Sequence, residues 1–131
     1  MIEALQKASD DGNRLVSVRE ALLEPGYSLI SDIELEFEGC TVVVSAIEEF
    51  DTISISLSTL PESRAFTPAA NQFWQGCIGK QLQWAWLLKN HQGYIDGVRL
   101  EFFDPDSPGS VIGELIVAAS SLQLYVSVLK A

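Results

Sequence analysis

Ile33-Glu34-Leu35-Glu36-Phe37-Glu38 decides the fold class of this chain. Apolar and acidic residues alternate without a fault, which is the period of a strand with one buried face and one wet face. Working outward, a reversal at Glu38-Gly39-Cys40 leads into Thr41-Val42-Val43-Val44-Ser45-Ala46-Ile47, and the two runs pair as a hairpin. Glu48-Glu49-Phe50-Asp51 makes the next corner. Ile53, Ile55 and Leu57 then alternate with Ser54, Ser56 and Ser58. Residues 28–58 therefore read as a three-stranded antiparallel meander.

Upstream, residues 2–10 (IEALQKASD) are good helix formers closed by Asp11-Gly12-Asn13, which predicts a short N-terminal helix. Residues 14–23 admit two readings. Leu15, Val18 and Leu22 fit a helical stripe, while Val16-Ser17-Val18 looks like a strand, and we read a strand. Pro25-Gly26 is a turn. Downstream, residues 59–70 read as a loop. Thr67 is placed to cap a short helix with Pro68 at its first position, running through Asn71, Phe73 and Trp74 toward Cys77 and ended by Gly76 and Gly79. Leu82, Trp84, Trp86 and Leu88 next alternate with Gln81, Gln83, Ala85 and Leu87. That is a strand whose large aromatics share one face, read as core, with an opposite face only weakly polar.

Asn90-His91-Gln92-Gly93 is a turn, and residues 94–103 form its return strand. Asp104 to Gly109 make a longer turn, and residues 111–129 hold one long bent strand or two short ones, with Leu122, Leu124, Val126 and Val128 alternating. Closely spaced strands with few helices between them favour antiparallel pairing over βαβ units. The expected fold is α+β. It is mostly antiparallel β-sheet, a curved meander or half-barrel, with an N-terminal helix and one short helix before the tryptophan strand. A length of 131 residues with 47% apolar content suits one domain spanning 1–131.

The run from Gly79-Lys80 through Trp84, Trp86, Asn90, Gly93-Tyr94 and Asp96-Gly97 resembles a motif of an uncharacterised bacterial family of small acidic proteins, a domain of unknown function. The resemblance covers about a quarter of the chain. It implies a small bacterial cytosolic domain and no catalytic residue.

Charge narrows the function classes further. Eight Lys+Arg face eighteen Asp+Glu, a net charge of −10. Such a balance argues against nucleic acid, because phosphate contacts need Lys and Arg. Residues 1–62 carry thirteen acids and three bases, while residues 63–131 carry five of each. The whole imbalance therefore sits in the first half. That asymmetry serves solubility, or it offers an acidic face to a basic protein partner. Glu34, Glu36 and Glu38 are the candidate docking face, although a solvated outer face accounts for them as well. The uncharged stretch of residues 115–129 is too short for a membrane span. The N-terminus lacks the basic and apolar regions of a secretory signal, so a cytoplasmic location is expected.

The remaining motifs carry little chemistry. Two cysteines and one histidine cannot assemble a zinc set, and no metal or cofactor is expected. Gly76-Cys77-Ile78-Gly79-Lys80 is not a phosphate loop: Trp74 stands where the first glycine belongs and Gln81 follows the lysine. Asp104 to Gly109 resembles the start of a calcium loop, but Pro108 and Leu115 stand at ligand positions. No catalytic set is identified. A candidate pocket gathers Trp74, Trp84, Trp86, His91, Tyr94 and Asp96, in which a His–Asp pair could orient a general base. Two readings follow: a non-enzymatic protein-binding domain of the inhibitor, immunity or adaptor kind, and a small-molecule-binding or hydrolase-like protein built on that pocket. A homodimer covering the tryptophan strand is a third possibility.

Overall fold

The computed structural model describes residues 1–23, 29–58, 65–107 and 109–127. The predicted Pro25-Gly26 turn, the first part of the 59–70 loop and Val128 lie outside them. The described elements run α1 (Ile2–Asp11), β1 (Leu15–Leu22), β2 (Ile30–Phe37), β3 (Thr41–Ile47), β4 (Thr52–Leu57), β5 (Thr67–Pro68), α2 (Gln72–Cys77), β6 (Gln81–Lys89), β7 (Ile95–Phe103), β8 (Ser110–Ala118) and β9 (Ser121–Ser127).

The strands form one antiparallel sheet ordered β4-β3-β2-β9-β8-β7-β6, with β1 on β2 and β5 on β1. It curls into a half-barrel, so the fold is α+β as the alternation requires. Two narrow seams hold the curl. β2 meets β9 through Ile30 and Leu122. At the other seam Arg14 bridges Gln81, the Leu15 amide donates to the Lys80 carbonyl at 2.8 Å, and the Gly79 amide donates to the Leu15 carbonyl at 2.8 Å. Helix α1 packs on β3, β4 and β6, burying Ala4, Leu5 and Ala8, and so fills the gap between the two ends of the sheet.

Ile33, Leu35, Leu82, Leu100, Phe102 and Leu115 are fully buried at the centre of the core. Each such side chain contributes roughly 1.5–3 kcal/mol of transfer free energy. Gly39, in the β2–β3 turn, lies against the end of α1. A Cβ there would overlap the Asp11 carbonyl, and its amide donates to the Gly12 carbonyl at 2.9 Å.

Within residues 14–23 the strand reading holds, over Leu15–Leu22. The described part of residues 111–129 gives two strands, β8 and β9, joined at Ala119-Ser120. The second helix differs from expectation. It begins at Gln72 with Asn71 as its cap, the Asn71 Oδ1 accepting from the Phe73 amide at 2.9 Å. Thr67-Pro68 instead forms the short strand β5 against Arg19 and Glu20 of β1. Gly76 lies inside the helix rather than ending it.

The tryptophan strand departs most. Leu82 pairs with Phe102 but Trp84 pairs with Glu101, so Gln83 is an extra residue. Such a bulge reverses the alternation beyond it. Leu82 points into the core, whereas Trp84 and Trp86 face solvent at 57% and 42% exposure, and Ala85 and Leu87 take the core positions. The expectation that Trp84 and Trp86 pack in the core with Leu82 is therefore corrected.

Candidate functional site

The acidic ladder is not uniformly wet. On β2, Glu34 is only 5% exposed and is held by Arg19, whose Nε donates to Oε1 at 2.8 Å. The Arg19 guanidinium also lies 5.4 Å from the Phe66 ring centroid. Glu36 is half-buried and accepts from the Ser17 hydroxyl at 3.3 Å. Glu38 is exposed and accepts from the Arg14 amide at 3.0 Å. Buried carboxylates need such partners, because an uncompensated charge in the interior is expensive. The solvated-face expectation fails for Glu34, which is buried and paired with Arg19 of the neighbouring strand β1.

The expected tryptophan pocket is also divided. Trp74 of α2 is buried, with its ring 5.1 Å from Phe73 in an edge-on arrangement. Trp84 and Trp86 lie on the outer face of the sheet. His91, Tyr94 and Asp96 do come together, at the end of the half-barrel where three reversals meet. With Phe50, Asp51 and Asn90 they line an open hollow of about 480 Å³.

Local chemistry builds this end of the molecule. Asn90 organises the β6–β7 turn: its Oδ1 accepts from the Gln92 amide at 2.9 Å and the Tyr94 amide at 3.2 Å. Its Nδ2 donates to Asp96 Oδ2 at 3.1 Å. The β8–β9 reversal places both Ala119 (φ 52°) and Ser120 (φ 65°) in the left-handed region, which suits a two-residue hairpin but strains side-chain-bearing residues. Asp51 shares that strain at φ 49° and clamps the reversal, its Oδ1 accepting from the Ser120 amide at 3.1 Å.

Two aromatic rings stand out of the surface here, Phe50 at 67% and Tyr94 at 52% exposure. Glu48, Glu49 and Asp51 flank Phe50 and are exposed. Of these carboxylates, Asp51 lines the hollow together with Asp96. An apolar rim, carboxylates and one imidazole suit the capture of a cationic group. Sequence reasoning took Glu48-Glu49-Phe50-Asp51 only as a corner. Its signal was an aromatic residue placed among acids at a reversal, where nothing predicted could bury it.

The two thiols are free, Cys40 half-buried and Cys77 fully buried. Burial pushes the Cys77 thiol up to about 12, and its Sγ donates to the Phe73 carbonyl at 3.4 Å. Burial also raises Cys40, with Lys7 opposing that shift. Neither is primed as a thiolate nucleophile. Among the described residues no three His, Cys, Asp or Glu side chains are grouped to hold a metal ion. None of the described helices is long and apolar enough to cross a membrane.

A family model covers residues 1–128 of the chain. The chain belongs to DUF6334, a family of unknown function. The DUF6334 match takes in both the hollow and the tryptophan strand, and it extends the resemblance seen over residues 79–97 to nearly the whole chain. No curated protein and no solved structure matches this DUF6334 member.

Proposed function

We propose that this protein is a non-enzymatic binding domain that docks a basic segment of a partner protein at the acidic, aromatic end of the half-barrel. The observation that carries the reading is the hollow itself. Phe50 and Tyr94 stand exposed beside Asp51, Asp96 and His91 in one concavity. A lysine or arginine side chain seated there gains carboxylate attraction and aromatic contact together, worth roughly 0.5–2 kcal/mol for the ring contact. Glu36 and Glu38 add to the long-range field that speeds encounter, while Glu34 is committed to Arg19. The reading treats residues 1–131 as one domain and places it in the cytoplasm of a bacterium, where two free thiols persist. It involves neither nucleic acid nor membrane, and no cofactor.

The test is titration of a fluorescent arginine- and lysine-rich peptide, with an alanine-serine peptide as control. Saturable binding that weakens with salt, and weakens again in Phe50→Ala and in Asp51→Asn, supports the reading. Binding to neither peptide, or binding unchanged by both substitutions, overturns it.

A second reading, a small-molecule pocket, keeps only His91, Tyr94 and Asp96 of the expected set. A hydrolase built on Cys77 is disfavoured by its raised, buried thiol. Self-association is a further reading, favoured by the exposed tryptophans.

A further inference from the structure

The outer face of β6–β9 presents three aromatic side chains to solvent: Trp84, Trp86 and, at 52% exposure, Tyr125. Strand register places Trp86, Arg99, Glu114 and Tyr125 in one row across the four strands. A second row holds Trp84, Glu101 and Ile112. In a third, Leu88 and Ile116 close over Gly97, where a Cβ would lie 2.6 Å from Ile116 Cδ1 and 3.3 Å from Leu88 Cδ1. The polar groups on this face are already engaged. Arg99 Nε donates to Glu114 Oε1 at 2.9 Å, its guanidinium lies 5.9 Å from the Trp86 ring, and Glu101 accepts from the Ser110 hydroxyl at 3.0 Å. Exposed aromatics between satisfied polar groups are the composition of an interface centre rather than of a solvated surface.

We propose that this face is where a second copy of the chain docks, sheet against sheet about a two-fold axis. Charge selects that occupant. The molecule carries −10 in total, yet residues 63–131 are balanced, and the described residues of these rows hold one guanidinium and two carboxylates. Two copies meeting here avoid bringing their acidic halves together. A strongly basic partner finds no unpaired carboxylate to attract it: Glu114 is bonded to Arg99 and Glu101 to Ser110. The Arg99–Glu114 pair near the centre is self-complementary, because a two-fold axis lets each arginine reach the other copy's glutamate.

Area sets the strength. Four strands about 4.8 Å apart and three rows about 7 Å apart cover roughly 400 Å². A stable interface takes about 800 Å² per partner. The dimer is therefore weak and reversible.

Sedimentation equilibrium between ~10 µM and ~500 µM tests this. The expected result is a monomer at the low end and a substantial dimer fraction at the high end. Molar salt should not dissociate the dimer, and tryptophan emission should shift to the blue as concentration rises. Trp84→Ser and Trp86→Ser should each weaken association by ~10-fold or more, while circular dichroism confirms that the fold is kept. Phe50→Ala should leave association unchanged, which separates this result from the fate of the acidic-end reading. A monomer throughout, or a dimer indifferent to both tryptophan substitutions, overturns the proposal.

Discussion

On β2 the Glu34 carboxylate is sealed beneath Arg19 and Phe66, whereas on β6 the indoles of Trp84 and Trp86 stand in water beside a paired arginine. One half of the sheet thus internalises charge, and the other exposes aromatic area. The cause lies in what crosses each outer face. Arg19 of the neighbouring strand β1, itself against the Phe66 ring, lies beside Glu34 on β2 and gives that buried carboxylate its internal partner. β6 is the last strand in the order of the sheet, and its bulge at Gln83 turns the indoles outward, where among the described residues they stay 57% and 42% exposed. Exposure on a sheet is thus decided by the neighbouring strands as much as by the residue type.

The comparison can be broken first at the aromatic residues. Phe102 lies on the inner side of β7, and Trp84, opposite its neighbour Glu101, on the outer side of β6. Phe102→Ala should cost about 3–5 kcal/mol in chemical denaturation, and Trp84→Ala about 1 kcal/mol or less, measured at a concentration where the chain is monomeric. Equal losses would mean that the bulge does not set the faces.

The arginines provide the next contrast. Arg19→Ala strands a buried carboxylate, and its cost should be about 2 kcal/mol, reduced from the value for a fully buried pair because the Arg19 head is half in water. Arg99→Ala breaks a more exposed pair and should cost under about 1 kcal/mol. The order of the two is the test.

The thiols sharpen the inside–outside distinction through pH. Burial raises Cys77 from 9.0 to about 12 in the folded chain. The unfolded chain therefore loses its proton first. The stability this group supports is whole below pH 9 and declines as pH rises through about 12. Alkylation at pH 8 should label half-buried Cys40 well before Cys77, and Cys77→Ala should flatten the alkaline decline. Equal labelling rates would place Cys77 outside the core.

The smallest effect concerns backbone strain at the acidic end. Ser120→Gly relieves a left-handed serine and should stabilise the chain by about 0.5–1 kcal/mol, read as a small rise in Tm. Ser17→Gly, in a β-strand, should do the reverse. A loss at Ser120 as well would mean that the turn is not strained.

Much of this architecture could be read from spacing. Alternation at 33–38, 41–47 and 53–57 and the turn residues at 90–93 placed strands and reversals correctly, because period and turn chemistry are local properties. What failed depended on distant residues. No local signal shows that Gln83 bulges against Phe102 and Glu101, that Thr67-Pro68 pairs with β1, or that Arg19 seals Glu34. For the same reason His91, Tyr94 and Asp96 were visible as neighbours in sequence, while Phe50 and Asp51, about forty residues earlier, join them only when the sheet curls.

The most direct test of the proposed docking end is a residue-by-residue map of amide shifts as an arginine- and lysine-rich peptide is titrated into the intact chain at low salt. The account predicts that the perturbed amides cluster at residues 48–51 and 90–96, with the β6–β9 outer face quiet. Perturbations centred on Glu36 and Glu38, or spread evenly over the acidic surface, would contradict it.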